Sequence, residues 1–235
     1  MNPDRPITIL VCALGGEGGG VLAEWLVETA IHAGHSVQST SIPGVAQRTG
    51  ATTYYVEVFP RPDAELGGRK PVFSLAPVPG ALDLLVSSEL LETARQIGNG
   101  MSNVKRTQVI SSRSRSLTTA EKVQLGDGRA DAEVLMAIAR DHSAQAFLLD
   151  MAGLTQSAGT VISAVLFGAI AASAALPFAR EAYHRTIRAG GIGVAASLRG
   201  FDAAFDALTA LRNERAAVAH AVSDVIAAAS EAPSP

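Results

Sequence analysis

The chain has 235 residues, of which 48% are hydrophobic and 17% charged, and its net charge is −3. That much apolar material with so little charge excludes a wholly disordered chain, and the lack of a basic excess argues against a general nucleic-acid binder. A single cysteine, Cys12, excludes an intramolecular disulfide framework, a cysteine-rich zinc site and an iron–sulfur cluster held by this chain alone, and it fits a reducing, cytoplasmic setting.

In chain order, Ile7–Ala13 is a near-continuous apolar run, the pattern of a parallel strand buried on both faces. Leu14-Gly15-Gly16-Glu17-Gly18-Gly19-Gly20 follows it. Val21–Ala33 then carries Leu22, Trp25, Leu26 and Thr29 at helical spacing, and Gly34 stops it. Ser36–Thr40 reads as a second strand, and Ser41–Gly50 as a loop. Ala51–Phe59 is β-branched and aromatic and reads as a strand. Pro60–Pro71 is a polar loop or hairpin tip. Ala81–Ser87 is another buried strand, Glu89–Ile97 a helix and Thr107–Ser111 a strand. Leu117–Leu125 and Asp131–Asp141 look helical, and Ala146–Leu149 is the last core strand. Met151–Ala179 contains no charged residue, but Gln156, Gly153, Gly159, Gly168 and Pro177 interrupt it. A short break and then a buried helix, Val161–Ser173, fits better than a membrane span, which needs about 20 predominantly apolar residues.

Alternation of strands and helices predicts an α/β fold: three layers, α/β/α, with a mostly parallel sheet, a Rossmann-like start and a helical C-terminal part. Residues 1–215 are expected to form the domain. Residues 216–235, Ala-rich and ending in Pro-Ser-Pro, read as a helix end and a linker-like tail.

Glycines between a strand and a helix let the backbone turn tightly and expose N–H groups at the positive end of a helix, which suits an anion. The spacing here, Gly16-Glu17-Gly18-Gly19-Gly20-Val21, puts Val21 where a dinucleotide fingerprint needs its third glycine. Ser39, Thr40 and Ser41 stand where an acidic residue would grip a ribose. No P-loop Lys-Ser/Thr pair is present. Close helix–sheet packing is the competing use of these glycines, and Glu17 would repel a phosphate. Gly126-Asp127-Gly128 starts like a thiamine diphosphate motif, but the only Asn after it is Asn213, too far away, so a turn is the simpler reading. The five histidines are scattered without metal-ligand spacing. Gln47-Arg48-Thr49-Gly50 is a second candidate, because loops beyond the carboxyl ends of parallel strands are where α/β sheets bind ligands, and the Arg48 guanidinium offers a planar fork to a phosphate or carboxylate.

Four segments occur together and in order: Leu14–Gly20, Pro43–Thr52, Ser87–Leu90 and Gly159–Ala169. With them the chain resembles the gamma-type domain of the 2-oxoacid:ferredoxin oxidoreductases over roughly Ile7–Leu208, and within that family the indolepyruvate type most closely. The family often has Asn where Ser163 and Ser197 stand here. The resemblance implies a hetero-oligomer that oxidatively decarboxylates an arylpyruvate such as indolepyruvate to arylacetyl-CoA. Thiamine diphosphate, Mg and the iron–sulfur clusters would sit in a larger catalytic partner subunit. Coenzyme A would be the co-substrate, and ferredoxin or another carrier the electron acceptor. This chain would bind no cofactor alone, and would neither bind nucleic acid nor enter a membrane. It would complete the partner's active site, with Gly15, Gly16, Glu17, Gly18, Gly19, Gln47, Arg48, Thr49 and Gly50 as candidate contacts to coenzyme A, thiamine diphosphate or the partner. No residue of this chain would itself be catalytic. The competing readings are a purely structural assembly subunit and a stand-alone nucleotide-binding α/β protein.

Overall fold

The computed structural model describes residues 4–42, 51–114 and 130–230. Its elements, in order, are β1 (Ile7–Leu14), α1 (Gly19–His32), β2 (Val37–Ile42), β3 (Ala51–Val58), a short 3₁₀ turn (Asp63–Glu65), β4 (Leu84–Ser87), α2 (Leu90–Gly98), β5 (Gln108–Ser112), α3 (Ala132–Asp141), β6 (Gln145–Leu149), α4 (Met151–Ala158), α5 (Ile162–Ser173), α6 (Arg180–Ala189) and α7 (Val194–Ser230). The expected helix over Leu117–Leu125 and the loop residues Gln47, Arg48, Thr49 and Gly50 lie outside the described residues.

The strands form one sheet in the order β2-β3-β1-β4-β5-β6. β1, β4, β5 and β6 pair in parallel. The expected α/β fold, with a mostly parallel sheet and a helical C-terminal part, is the one observed. One detail of its start differs. β2 does not lie beside β1, because β3 inserts between them and runs antiparallel to both. The β-α-β start therefore keeps its direction but has a strand threaded into its middle.

Register explains the layering. Val11, Val86, Ile110 and Phe147 lie side by side across four parallel strands, and so do Leu10, Leu85, Val109 and Ala146 one residue earlier. Side chains alternate faces along a strand, so the first row faces one layer and the second faces the other. The first row joins a core with Leu22 and Leu26 of α1, Val165 and Phe167 of α5, Tyr183 of α6 and Phe201 of α7. The second packs under α2 and α3 through Ile97 and Ala139. A strand needed on both faces cannot alternate apolar with polar, which is why β1 reads as a continuous apolar run.

The few aromatic residues are concentrated rather than scattered. Phe167 of α5 lies with its ring centroid 5.3 Å from Trp25, 5.0 Å from Tyr183 and 5.7 Å from Phe201, distances at which edge-to-face and tilted pairs are favourable. Among the described residues no single helix is long and apolar enough to cross a membrane. α4 and α5 pass on length and composition only as a pair bent by 116°, and α5 is buried within the domain. The uncharged run thus begins with a helix, α4, where a break was expected. Gly159 at φ 61° ends it, because only glycine enters the left-handed region without cost. At the other end α7 continues helically past residue 216 as far as Ser230, and its residues 212–224 are exposed.

Candidate functional site

A cleft of about 710 Å³ opens at the carboxyl edge of the sheet. Its walls are Gly16, Glu17 and Gly18 of the glycine loop, Val21 and Trp25 of α1, Ala152, Thr155 and Gln156 of α4, residues Gly159, Thr160, Val161, Ile162 and Ser163 leading into α5, and Ile192 and Ser197 around the start of α7. The volume falls in the range of small-molecule sites.

Three helix N-termini meet there. α1 is preceded by Gly18 at φ 73° and α5 by Val161, and neither has a side-chain cap. α7 begins just after Gly193 at φ 65°. Uncapped first-turn N–H groups and the positive ends of the helices favour an anion or an oxygen acceptor. The hydroxyls of Ser163 and Ser197 add donors to the same wall. Glycine is required at two positions of the loop for different reasons. Gly18 combines its positive φ with the Ser163 Oγ, which would stand 3.1 Å from a Cβ. Gly19 is pressed against Ala13 and the Tyr54 ring, both 2.7 Å from where a Cβ would be.

Glu17 plays a part that sequence alone did not suggest. Its Oε2 accepts a hydrogen bond from the backbone N–H of Leu14 at 3.1 Å and a short one from the hydroxyl of Ser88. The carboxylate therefore ties the loop after β1 to the end of β4. Among the described residues it is the only charged one of the cleft wall, and its charge is engaged by these two donors. Behind the wall, Arg199 Nη2 and Nε donate to the Ala158 carbonyl at 3.0 and 3.2 Å and cap the end of α4.

Of the residues singled out from the sequence, Gly16, Glu17 and Gly18 line the cleft. Gly15 is exposed beside it and Gly19 is buried beneath it. Gln47, Arg48, Thr49 and Gly50 fall outside the described residues. The structure brings Ser163 and Ser197, 34 residues apart in sequence, to one wall. Trp25, Thr155, Gln156, Thr160 and Ile192 were not anticipated. Thr155 and Gln156 left one signal, as polar residues in an uncharged and largely apolar run.

The donor set also decides what this chain can hold. Among the described residues no group of three or more His, Cys, Asp or Glu could bind a metal ion. Cys12 is buried in the β1 core, where burial pushes its thiol well above the usual range, with the Glu92 charge adding to the effect. A buried, protonated lone thiol does not fit an iron–sulfur cluster, whose irons need several thiolates.

The features so far define an α/β domain with a ligand-sized cleft at the carboxyl edge of its sheet. The family model described as pyruvate ferredoxin/flavodoxin oxidoreductase matches residues 8–207, and the chain belongs to that family. Its fold is shared with solved subunits. A pyruvate oxidoreductase subunit from Thermotoga maritima superposes with a TM-score of 0.59 at 15% identity, covering 86% of this chain and 96% of that one. The gamma subunit of a keto/oxoacid ferredoxin oxidoreductase from Geobacter sulfurreducens gives 0.56 at 16%, covering 87% and 97%. The 2-oxoglutarate:ferredoxin oxidoreductase from Magnetococcus marinus, solved with 2-oxoglutarate, coenzyme A and succinyl-CoA bound, gives 0.57 at 12%, covering 88% of this chain but 31% of that longer one. No curated protein matches the sequence significantly.

Proposed function

We propose that the chain is the gamma-type subunit of a cytoplasmic 2-oxoacid:ferredoxin oxidoreductase acting on arylpyruvates, indolepyruvate among them. The carboxyl-edge cleft would complete the active site of a larger partner that carries thiamine diphosphate, Mg and the iron–sulfur clusters. The reaction would release carbon dioxide, pass two electrons through the clusters to ferredoxin and transfer the arylacetyl group to coenzyme A. Thiamine diphosphate supplies the carbanion chemistry in such a reaction. This chain's own residues would bind and orient: the N–H groups at the starts of α1 and α5, and the hydroxyls of Ser163 and Ser197, face where a phosphate or thioester oxygen could dock.

The observation that carries this reading is the composition of the cleft and its rim. The wall is rich in donors, while Val21, Val161 and Ile192 are 43%, 55% and 95% exposed. Large apolar side chains exposed around a polar wall are what a partner surface covers. Two experiments test it. Co-expression with a large subunit of the same family that carries thiamine diphosphate and iron–sulfur clusters should yield one complex with iron–sulfur absorption and thiamine-dependent turnover of indolepyruvate. Ile192→Glu should then weaken that association by about tenfold or more; an unchanged complex would count against the rim. In assembled enzyme, Arg48→Ala should raise the apparent Michaelis constant for coenzyme A about tenfold with kcat nearly constant. Loop substitutions that alter only assembly would point to a structural subunit instead.

A further inference from the structure

At the opposite edge of the sheet a second cleft, of about 500 Å³, lies where β5 and β6 begin. Gln108 and Gln145 occupy the register row that continues Ile9 and Leu84, so two glutamines end a row that is otherwise core. The side-chain oxygen of Gln108 is buried with no hydrogen-bond partner, and among the described residues its amide nitrogen makes no hydrogen bond either. A buried carbonyl oxygen left unpaired is costly, and the amide that carries it keeps its N–H donors unused among the described residues.

Above these glutamines stand Arg212 and Arg215, one turn apart on α7. Arg212 Nη1 donates to the Ala172 carbonyl at 2.5 Å, at the end of α5. Arg215 Nη2 donates to the Ala146 carbonyl at 2.6 Å, and its guanidinium lies 5.0 Å from the Phe147 ring centroid. Both forks are thus held in place by neutral carbonyls through one nitrogen each, and neither has a carboxylate partner among the described residues. Arg180 on α6, by contrast, is matched to Asp202 and Asp206. Glu214 lies between the two arginines in sequence, at a spacing that puts it on another side of the helix. Next to them Ala174 lines the cleft at φ 55°, a conformation that costs a non-glycine residue about 1 kcal/mol or more and tends to accumulate at functional sites.

We propose that this cleft binds a small molecule through a phosphate or carboxylate oxyanion, gripped by the free N–H groups of Arg212 and Arg215 and by the Nε2 N–H of Gln108. Two fixed guanidinium forks without a counter-charge match the planar oxygens of such a group, and Ala216 and Ala219 offer an apolar wall for the remainder of the molecule. The site is separate from the carboxyl-edge cleft and does not depend on the activity proposed above.

Titration of the full chain with inorganic phosphate and with malonate, by calorimetry at matched ionic strength, tests this. The expected result is saturable one-site binding of one of them with Kd of roughly 1 mM. Tighter phosphate identifies a phosphate-bearing ligand, and tighter malonate a carboxylate-bearing one. Replacing both arginines, Arg212→Gln with Arg215→Gln, should weaken binding about tenfold or more. Gln108→Met should weaken it about threefold while the melting temperature holds or rises, since it removes a buried unpaired oxygen. No saturation by about 20 mM of either anion, or an affinity unchanged in Gln108→Met and in a folded double variant, overturns the proposal.

Discussion

Asp83, one residue before β4, accepts six hydrogen bonds. Arg5 Nη2 and Nη1 donate at 2.6 and 2.9 Å, Arg106 Nε and Nη2 at 3.0 and 3.2 Å, and the Thr8 N–H and hydroxyl at 3.0 Å each. Burial alone would push its carboxyl up, but the bonds from Arg5 and Arg106, with the Thr8 N–H, outweigh that and hold it well below the usual carboxylate range. A carboxyl lowered in the folded state contributes its full stability above the unfolded value of about 3.9, and loses it as the pH falls from there toward the folded value. Asp83→Asn should therefore cost about 2 kcal/mol at pH 7, with the gap to the parent closing below about pH 3. Urea melts at the two pH values check this, and a constant gap would show that the carboxylate charge is not what matters. Glu17 is a similar clamp at the other edge of the sheet, where its contacts are local to the glycine loop.

At the scale of elements, the packing of α5 on α7 decides where the N-terminal ends of both helices fall. Gly168 is the point of closest approach: a Cβ there would stand 2.1 Å from the Phe201 carbonyl oxygen and 2.9 Å from its Cα. Backbone atoms cannot step aside as a flexible side chain can. Gly168→Ala should cost more than about 3 kcal/mol or prevent folding. Gly15→Ala, where nothing lies within 4 Å, should change stability by less than about 0.5 kcal/mol. Thermal melts of the pair compare a glycine needed for packing with one that is not. The same helices carry Ser163 and Ser197, so a shift at the Gly168 contact would also move the wall of the carboxyl-edge cleft.

Over the whole molecule, helices on one face of the sheet, α1, α4, α5 and α7, reach the two clefts between them, whereas α2 and α3 on the other face line neither. We propose that residues 1–215 are the cooperative unit and that the end of α7 is an appendage to it. Among the described residues, ending the chain after Ala221 removes none of the buried core. The melting temperature of that shortened chain, followed by circular dichroism, should stay within about 2 °C of the parent; a larger drop would make the tail part of the folding unit.

The sequence by itself determined the α/β class, nearly every element in the described regions, and the position of the glycine loop between β1 and α1. These are legible because burial on two faces leaves a continuous apolar strand, and because glycine and helical spacing are local signals. It did not reveal that β3 lies between β1 and β2, since a strand's composition records how deeply it is buried and not which strand is its neighbour. Glu17 is an ordinary acidic residue until Ser88 and the Leu14 N–H are placed beside it. Ser163 and Ser197, or Gln108 and Arg215, become neighbours only when the chain closes, because each pair is brought together by the sheet register and by the approach of α5 to α7. The local pattern chose the elements, and the tertiary structure chose which polar groups share a cleft.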